Sequence, residues 1–287
     1  MRHPVFADHH VHLGLVDADG QRGLADSGIG RVVDLGWSDD VVALARSAPV
    51  ATAYAGRFVT APGGYPTASR WAPPRCASEV AEPRDAAGAV DHQVALGASV
   101  VKATLNRDAG PVPDVATLGA VVAAAAAVGL PVVAHCQGPG MVELALAARV
   151  PAVAHTPWTH RLDDEVLAEA VDAGQAWIST LDIHGYGTAT PDGDRAVDNL
   201  ARFRGAGGRV LYGTDLGNGP LPASLNLREV GLLLDAGLTE DDVLAALTDP
   251  WPFSSPLAGI ATEVPDGPEP LLDRLAQARV VREGPAR

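Results

Sequence analysis

Two histidines spaced two residues apart near the start of the chain are the first residues whose types and spacing could do chemistry. They are His10 and His12 in Asp8-His9-His10-Val11-His12, directly after the apolar run Val5-Phe6-Ala7. On an extended strand, residues i and i+2 share a face. His10 and His12 can therefore grip one ion as neutral imidazoles, while His9 faces the other way. More side chains of metal-ligand type end short apolar runs downstream. Lys102 lies in Val100-Val101-Lys102-Ala103-Thr104, His135 closes Val132-Val133-Ala134-His135, and His155 closes Ala152-Val153-Ala154-His155. Asp215 follows Leu211-Tyr212-Gly213-Thr214. Each alone has a plain structural reading: a hydrogen-bonded core histidine, a rim lysine, an aspartate capping a turn. Six together form an N/O ligand set suited to Zn²⁺, or to Mn²⁺, Fe²⁺ or Ni²⁺.

Such a set needs elements that bring it to one place, and the chain alternates short apolar runs with helical patterns from end to end. Strands are expected at about Val5–Leu13, Arg31–Leu35, Val50–Val59, Ser99–Leu105, Pro131–Cys136, Ala152–His155, Ala176–Leu181 and Arg209–Gly213. Helical patterns are expected over Pro83–Leu96, Asp114–Val128, Gly140–Arg149, Asp163–Ala173, Asp194–Arg204, Ala223–Ala236 and Glu240–Leu247. Strands alternating with helices imply parallel pairing, and eight such units imply an α/β fold of the (β/α)8 TIM-barrel type. An open doubly wound sheet would carry a Gly-rich first turn, and here that turn carries histidines. In a barrel the C-terminal ends of the strands form the active site, and the six residues sit at five of those ends. The expected division is a single barrel over residues 1–262 and a tail over 263–287. The Pro/Gly-rich stretch Thr60 to Arg75 reads as a long loop of the kind that walls an active site.

Composition narrows the partners. The chain has 287 residues and a net charge of −14, which argues against nucleic acid or an anionic membrane as a partner. Apolar residues make up 47%, yet no run reaches the ~18–20 residues of a membrane span. The Ala/Val-rich stretch from Leu118 to Val133 is broken by Gly129 and Pro131. No basic region followed by an apolar one opens the chain, so no signal peptide is expected. The two cysteines, Cys76 and Cys136, lack a framework pattern and read as thiols of a reducing compartment, hence a cytoplasmic location. The expected partner is a small-molecule substrate.

With these residues in place, the sequence resembles the amidohydrolase superfamily of metal-dependent hydrolases. The resemblance rests on the His10-x-His12 pair, Lys102, His135, His155 and Asp215, in order and rough spacing over about Val5 to Leu257. The loop Thr60-Ala61-Pro62-Gly63-Gly64-Tyr65-Pro66, and Gly237-Leu238-Thr239 before Asp241 to Leu247, resemble the imidazolonepropionase- and prolidase-like branch. The resemblance implies a binuclear centre in which His10, His12 and Asp215 hold one ion and His135 and His155 the other. Lys102 would bridge them as a carbamate formed with CO₂. Burial among Val100, Val101 and Thr104 favours the neutral amine which that step needs. The alternative is a one-metal site with Lys102 as an ammonium. The β-sandwich of full-length relatives is expected to lack its N-terminal part. Pro270–Val281, with Arg279-Val280-Val281-Arg282-Glu283-Gly284, is the expected remnant of its C-terminal part. The tail or a second copy of the chain would then close the far end of the barrel.

The implied reaction is hydrolysis of a C–N bond, in a cyclic amide or acyl-amine, by a hydroxide that the metal makes available near neutral pH. Asp215 would serve as general acid and base. The same site would hydrolyse an ester or lactone, and a one-metal decarboxylase or a pure binding protein are further alternatives; Lys102 and the complete ligand set weigh against these two. Glu143 lies too far along its helix to serve as the ring-protonating Glu of deaminases, which disfavours a nucleobase deaminase. Tyr65, Trp158, His184 and Tyr186 are the candidate substrate-binding residues, since only 5% of the chain is aromatic and these fall in expected mouth loops.

Overall fold

The computed structural model describes residues 1–282; residues 283–287, including Glu283 and Gly284 of the expected tail, lie outside the described residues. The strands are β1 (Arg2–Pro4), β2 (Phe6–Val11), β3 (Ile29–Asp34), β4 (Ala51–Tyr54), β5 (Phe58–Thr60), β6 (Ala77–Glu79) and β7 (Val101–Asn106). They continue as β8 (Val132–Gln137), β9 (Ala152–Val153), β10 (Ala176–Ile178), β11 (Arg209–Leu211), β12 (Ile260–Glu263) and β13 (Arg279–Arg282). The helices are α1 (Ala18–Asp26), α2 (Val41–Ser47), α3 (Ala86–Leu96), α4 (Val115–Ala127) and α5 (Met141–Ala147). After them come α6 (Asp164–Asp172), α7 (Pro191–Gly205), α8 (Leu227–Asp235), α9 (Glu240–Thr248) and α10 (Leu271–Leu275). Local chemistry sets several helix starts. Asp114, Thr190 and Asn226 each accept a first-turn backbone N–H, and Thr239 forms a capping box with Asp242.

The fold is α/β. A seven-stranded parallel sheet runs in the order β11-β10-β9-β8-β7-β5-β6, and a three-stranded parallel sheet in the order β2-β3-β4. Backbone bonds link the two sheets at both margins. On one side His9 N–H donates to the Tyr212 carbonyl, Asp215 N–H to that of His10, and His12 N–H to that of Leu216; on the other, Ser99 N–H donates to the Tyr54 carbonyl.

The expected third strand, Val50–Val59, is two strands. Residues 55–57 leave the ladder between β4 and β5, and Gln93 of α3 takes up their backbone groups. Its side chain accepts from Gly56 N–H and donates to the Arg57 carbonyl. Gly56 is the local mark of this break, since a Cβ there would lie 2.3 Å from Gln93 Oε1; the bracing residue itself is far along the chain. The sixth, seventh and eighth strands are also shorter than expected, so His155 lies just past β9 rather than within it, and Asp215 follows β11 at a greater distance than the expected strand end at Gly213 implied.

Strand alternation separates two apolar clusters. On β8, Val132, Ala134 and Cys136 face the helices, whereas Val133 shares the opposite face with His135. On β7, Val101, Ala103 and Leu105 face the helices while Lys102 points inward. The larger cluster fills the space between strands and helices, where Trp177 of β10 stacks on Phe203 of α7 at 3.8 Å between ring centroids. The smaller one gathers Val33, Leu35, Ala53, Val133, Ile178 and Leu211 with Trp251. Trp251, which follows α9, is the bulkiest member of this cluster.

One expectation about the chain ends needs correction. The first strand of the chain is β1 rather than β2: Arg2–Pro4 pair antiparallel with β12, which pairs in turn with β13. A strand before Val5 was missed because His3 and Pro4 lack an apolar alternation. β12 ends at Glu263, next to the expected boundary between barrel and tail. Thr262 ties it to the parallel sheet, accepting from Phe6 N–H and donating to the Gly28 carbonyl.

Candidate metal centre

All six expected ligands line one cavity of about 140 Å³: His10, His12, Lys102, His135, His155 and Asp215. β2 supplies His10 and leads directly into His12; β7 supplies Lys102 and β8 supplies His135. The His10 and His155 rings lie 4.6 Å apart and the His135 and His155 rings 5.0 Å apart. Ligand atoms of His10, His155 and Asp215 all fall within 4.8 Å of one another. His155 thus stands between the two groups of ligands that the resemblance implied, within reach of both.

Hydrogen bonds behind the rings fix their tautomers. His10 Nδ1–H donates to the Ala154 carbonyl at 2.8 Å, and His12 Nδ1–H to the Gly36 carbonyl at 2.9 Å. His155 Nδ1 contacts Thr180 Oγ1 at 2.8 Å. For His10 and His12 the proton is therefore on Nδ1, and the lone pair of Nε2 faces the cavity. This is the arrangement by which proteins orient metal-binding histidines.

What those lone pairs face is another acceptor. His10 Nε2 lies 3.1 Å and His12 Nε2 3.3 Å from the same Asp215 oxygen, Oδ1. His10 Nε2 is buried with no hydrogen-bond partner, and so is Lys102 Nζ. Two imidazole lone pairs and a carboxylate oxygen at this spacing repel one another unless a cation sits among them. The donor set and the orphaned atoms fit a divalent metal.

The charge states agree with that fit. Burial pushes the Lys102 amine down to about 7, against the pull of Asp215. Burial also drives His10 and His155 well below the usual imidazole range and His135 down to about 3. Burial alone would raise Asp215, but His10, His12 and the Asn218 amide hold its carboxyl well below the usual carboxylate range. Burial thus favours the neutral forms of His10, His135 and His155 beside the Asp215 carboxylate.

Asp215 sits in the left-handed backbone region, φ +61°, where a non-glycine residue stores strain. Its neighbours enforce that. Asp8, on β2, accepts from His10 N–H and Thr214 N–H with Oδ1 and from Thr214 Oγ1–H at 2.6 Å with Oδ2. Asn218 donates to both Asp215 oxygens at 3.1 Å. Asp8 was read only as the start of the histidine stretch; its partner Thr214 is 206 residues away, so sequence carried no signal for this clamp. Gly213 is required here as well, because a Cβ would lie 2.3 Å from Ile178 Cγ2 and 3.2 Å from His10 N.

Of the candidate substrate residues, Tyr65 and Trp158 line the cavity. Tyr65 stacks on His135 at 5.3 Å, and Trp158 stands 5.5 Å from His155 and 5.8 Å from His135. His184 lies one ring further out, 5.0 Å from Trp158, and its neighbour Ile183 reaches the cavity instead. Tyr186 is largely exposed and lines a separate cavity beside Asp182 and Arg228. Sequence reading missed Phe58, Trp71, Thr104, Ile183 and Asn218 as wall residues. The wall-forming loop at 60–75 could have pointed to Trp71; Phe58, inside an assumed strand, gave no such signal.

No family model and no curated protein sequence matches this chain. Solved structures do. A Xaa-Pro dipeptidase with methionine bound in its active site is 18% identical, with a TM-score of 0.77, over 97% of this chain and 84% of that one. An amidohydrolase is 17% identical, TM-score 0.72, over 99% and 87%. Molinate hydrolase is 13% identical, TM-score 0.69, over 98% and 82%. At such identities the likeness is one of fold. The chain has the fold of these dipeptidase and amidohydrolase structures, in keeping with the amidohydrolase-superfamily resemblance of its sequence.

Proposed function

We propose that this chain is a metal-dependent hydrolase of the amidohydrolase type that cleaves a C–N bond in a small molecule, an amide of the cyclic or acyl-amine kind. In this reading the two parallel sheets form one (β/α)8 barrel over residues 1–262, with residues 263–287 as an appended tail. The bonds from β2 to Tyr212–Leu216 and from Ser99 to Tyr54 support that closure. The observation that carries the functional reading is the meeting of His10 Nε2, His12 Nε2 and Asp215 Oδ1 without a proton to separate them.

His10, His12, His135, His155 and Asp215 would hold one or two divalent ions, Zn²⁺ being the best match to imidazole and carboxylate. Such a metal supplies a water of lowered pKa and polarises the carbonyl to be attacked. The rest falls to the chain. Lys102, with its amine held down by burial, is suited to react with CO₂ and bridge the two ligand groups as a carbamate; an ammonium there would repel the ions. Asp215 takes the proton of the attacking water and returns it to the leaving nitrogen. Asn218, bonded to both of its oxygens, aims the carboxylate during both transfers.

Asp215→Asn tests the assignment. The variant should keep bound metal, measured by elemental analysis, and lose about 10²–10⁴-fold in kcat, the usual worth of a positioned acid/base. Full turnover at matched metal content would overturn it.

A further inference from the structure

The cavity wall beyond the metal ligands is aromatic, and its polar groups are already engaged. The chain contains thirteen Trp, Tyr and Phe residues (5, 4 and 4), and Phe58, Tyr65, Trp71 and Trp158 all line this one cavity. Trp71 stands 5.5 Å from His12, 5.8 Å from Phe58 and 6.1 Å from Tyr65, so it faces His12 at the end of β2. Trp158 covers the opposite pair, His135 and His155. Two aromatic walls thus flank the ligand set.

The polar wall groups are turned to other work. Thr104 Oγ1 donates to the Tyr65 carbonyl, and the Asn218 amide donates to Asp215. Arg195 does not enter the cavity; it holds the Trp158 carbonyl at 2.9 Å and Asp192 at 2.7 Å. Among the described residues lining the cavity, the only cationic side chain is Lys102, which belongs to the ligand set. A substrate carboxylate held against this aromatic wall, away from the metal centre, would lose its water and find no cationic side chain to pair with. A flat apolar group meets the reverse situation, since ring faces gain from stacking. The room is adequate: a buried apolar cavity of about 150 Å³ accepts benzene, and this one has about 140 Å³.

We propose that the substrate is a neutral amide carrying an aromatic or similarly flat apolar ring next to the scissile C–N bond, and not an amino-acid amide with a free carboxylate. This rests on the hydrolase reading above, with Lys102 taken up at the metal centre. Trp71 and Trp158 are then specificity residues: they hold the ring and touch no reacting atom.

A matched pair tests this on the zinc-loaded protein: N-benzoylpyrrolidine, which is neutral, and N-benzoylproline, which differs only by its carboxylate. Hydrolysis and binding are read separately, binding by quenching of tryptophan fluorescence. The neutral member should be bound at least tenfold more tightly and hydrolysed with at least tenfold higher kcat/KM. Trp71→Leu should raise KM for the neutral member about tenfold while leaving metal content and kcat within about twofold. Trp158→Leu should act in the same way, which guards against a single variant that folds poorly. Tighter binding of the proline compound, equal binding of both, or no binding of either would overturn the inference. Binding of the neutral member without turnover would support the inference and count against the hydrolase reading instead.

Discussion

Thr214 and Asp8 show how side chains outside the cavity lining can govern one that lines it, Asp215. Thr214 Oγ1 donates to Asp8 Oδ2 and accepts from Leu216 N–H, and thereby holds the backbone on both sides of Asp215. Thr214→Val keeps the shape and removes both bonds in a fully buried setting. Leaving such groups unpaired costs about 1–3 kcal/mol, which urea unfolding should register as a lowered midpoint. Freed from the clamp, Asp215 should leave its left-handed conformation more often. The variant should therefore bind metal more weakly at equal protein concentration, whereas a purely structural loss would leave the metal affinity of the folded fraction unchanged.

At the scale of elements, α8 is fastened to the segment behind β10 by several polar contacts: its cap Asn226 and Arg228 donate to the Asp182 carboxylate, and Glu229 reaches the backbone. Glu229 is fully buried and accepts from Leu181 N–H at 2.9 Å and Asp182 N–H at 2.7 Å. That segment carries Ile183 into the cavity wall. Burial pushes the Glu229 carboxyl up to about 7, although the two N–H groups pull it down. A carboxyl raised in the folded state favours its neutral form there. Its contribution to stability is complete below the unfolded value of about 4.3 and is lost as pH rises through about 7. Glu229→Gln does not titrate, so its stability should change less than that of the parent between pH 4.5 and 7. Its amide also turns one donor toward a backbone donor, so it should be less stable overall. Unfolding curves at several pH values across this window test both statements; an unchanged slope would show that Glu229 does not titrate there.

At the scale of the molecule, the two ends of the chain come together. β1 pairs with β12 and β12 with β13, so residues 2–4 and 279–282 belong to one small antiparallel sheet. Thr262 fastens this sheet to the parallel strands by its two buried bonds, at 2.9 Å to Phe6 N–H and 2.8 Å to the Gly28 carbonyl. Thr262→Val should cost about 1–3 kcal/mol in denaturant unfolding. Metal content and turnover should be unaltered at 25 °C, because the substitution lies behind the strands that carry the site. A loss of metal in the folded variant would show that the small sheet helps to position β2. Among the described residues no helix is long and apolar enough to cross a membrane.

The sequence by itself determined the candidate ligand set and the α/β alternation. His10 and His12 share a face because strand geometry has period two, and each later candidate follows a short apolar run of the kind that forms a buried strand. Those are local properties, written in a few adjacent residues. Tertiary structure decided what depends on partners far apart in the chain. Gln93 breaks the third strand at residues 55–57. Asp8 and Thr214 hold Asp215 in a conformation its own sequence disfavours. Phe58 and Trp71 line the cavity from stretches read as strand and loop, and β1 finds β12 across some 260 residues. Periodicity reports which way a side chain points within its own element. It carries no information about which distant donor will meet an acceptor, and at this site those meetings set the tautomers, the strain and the shape of the wall.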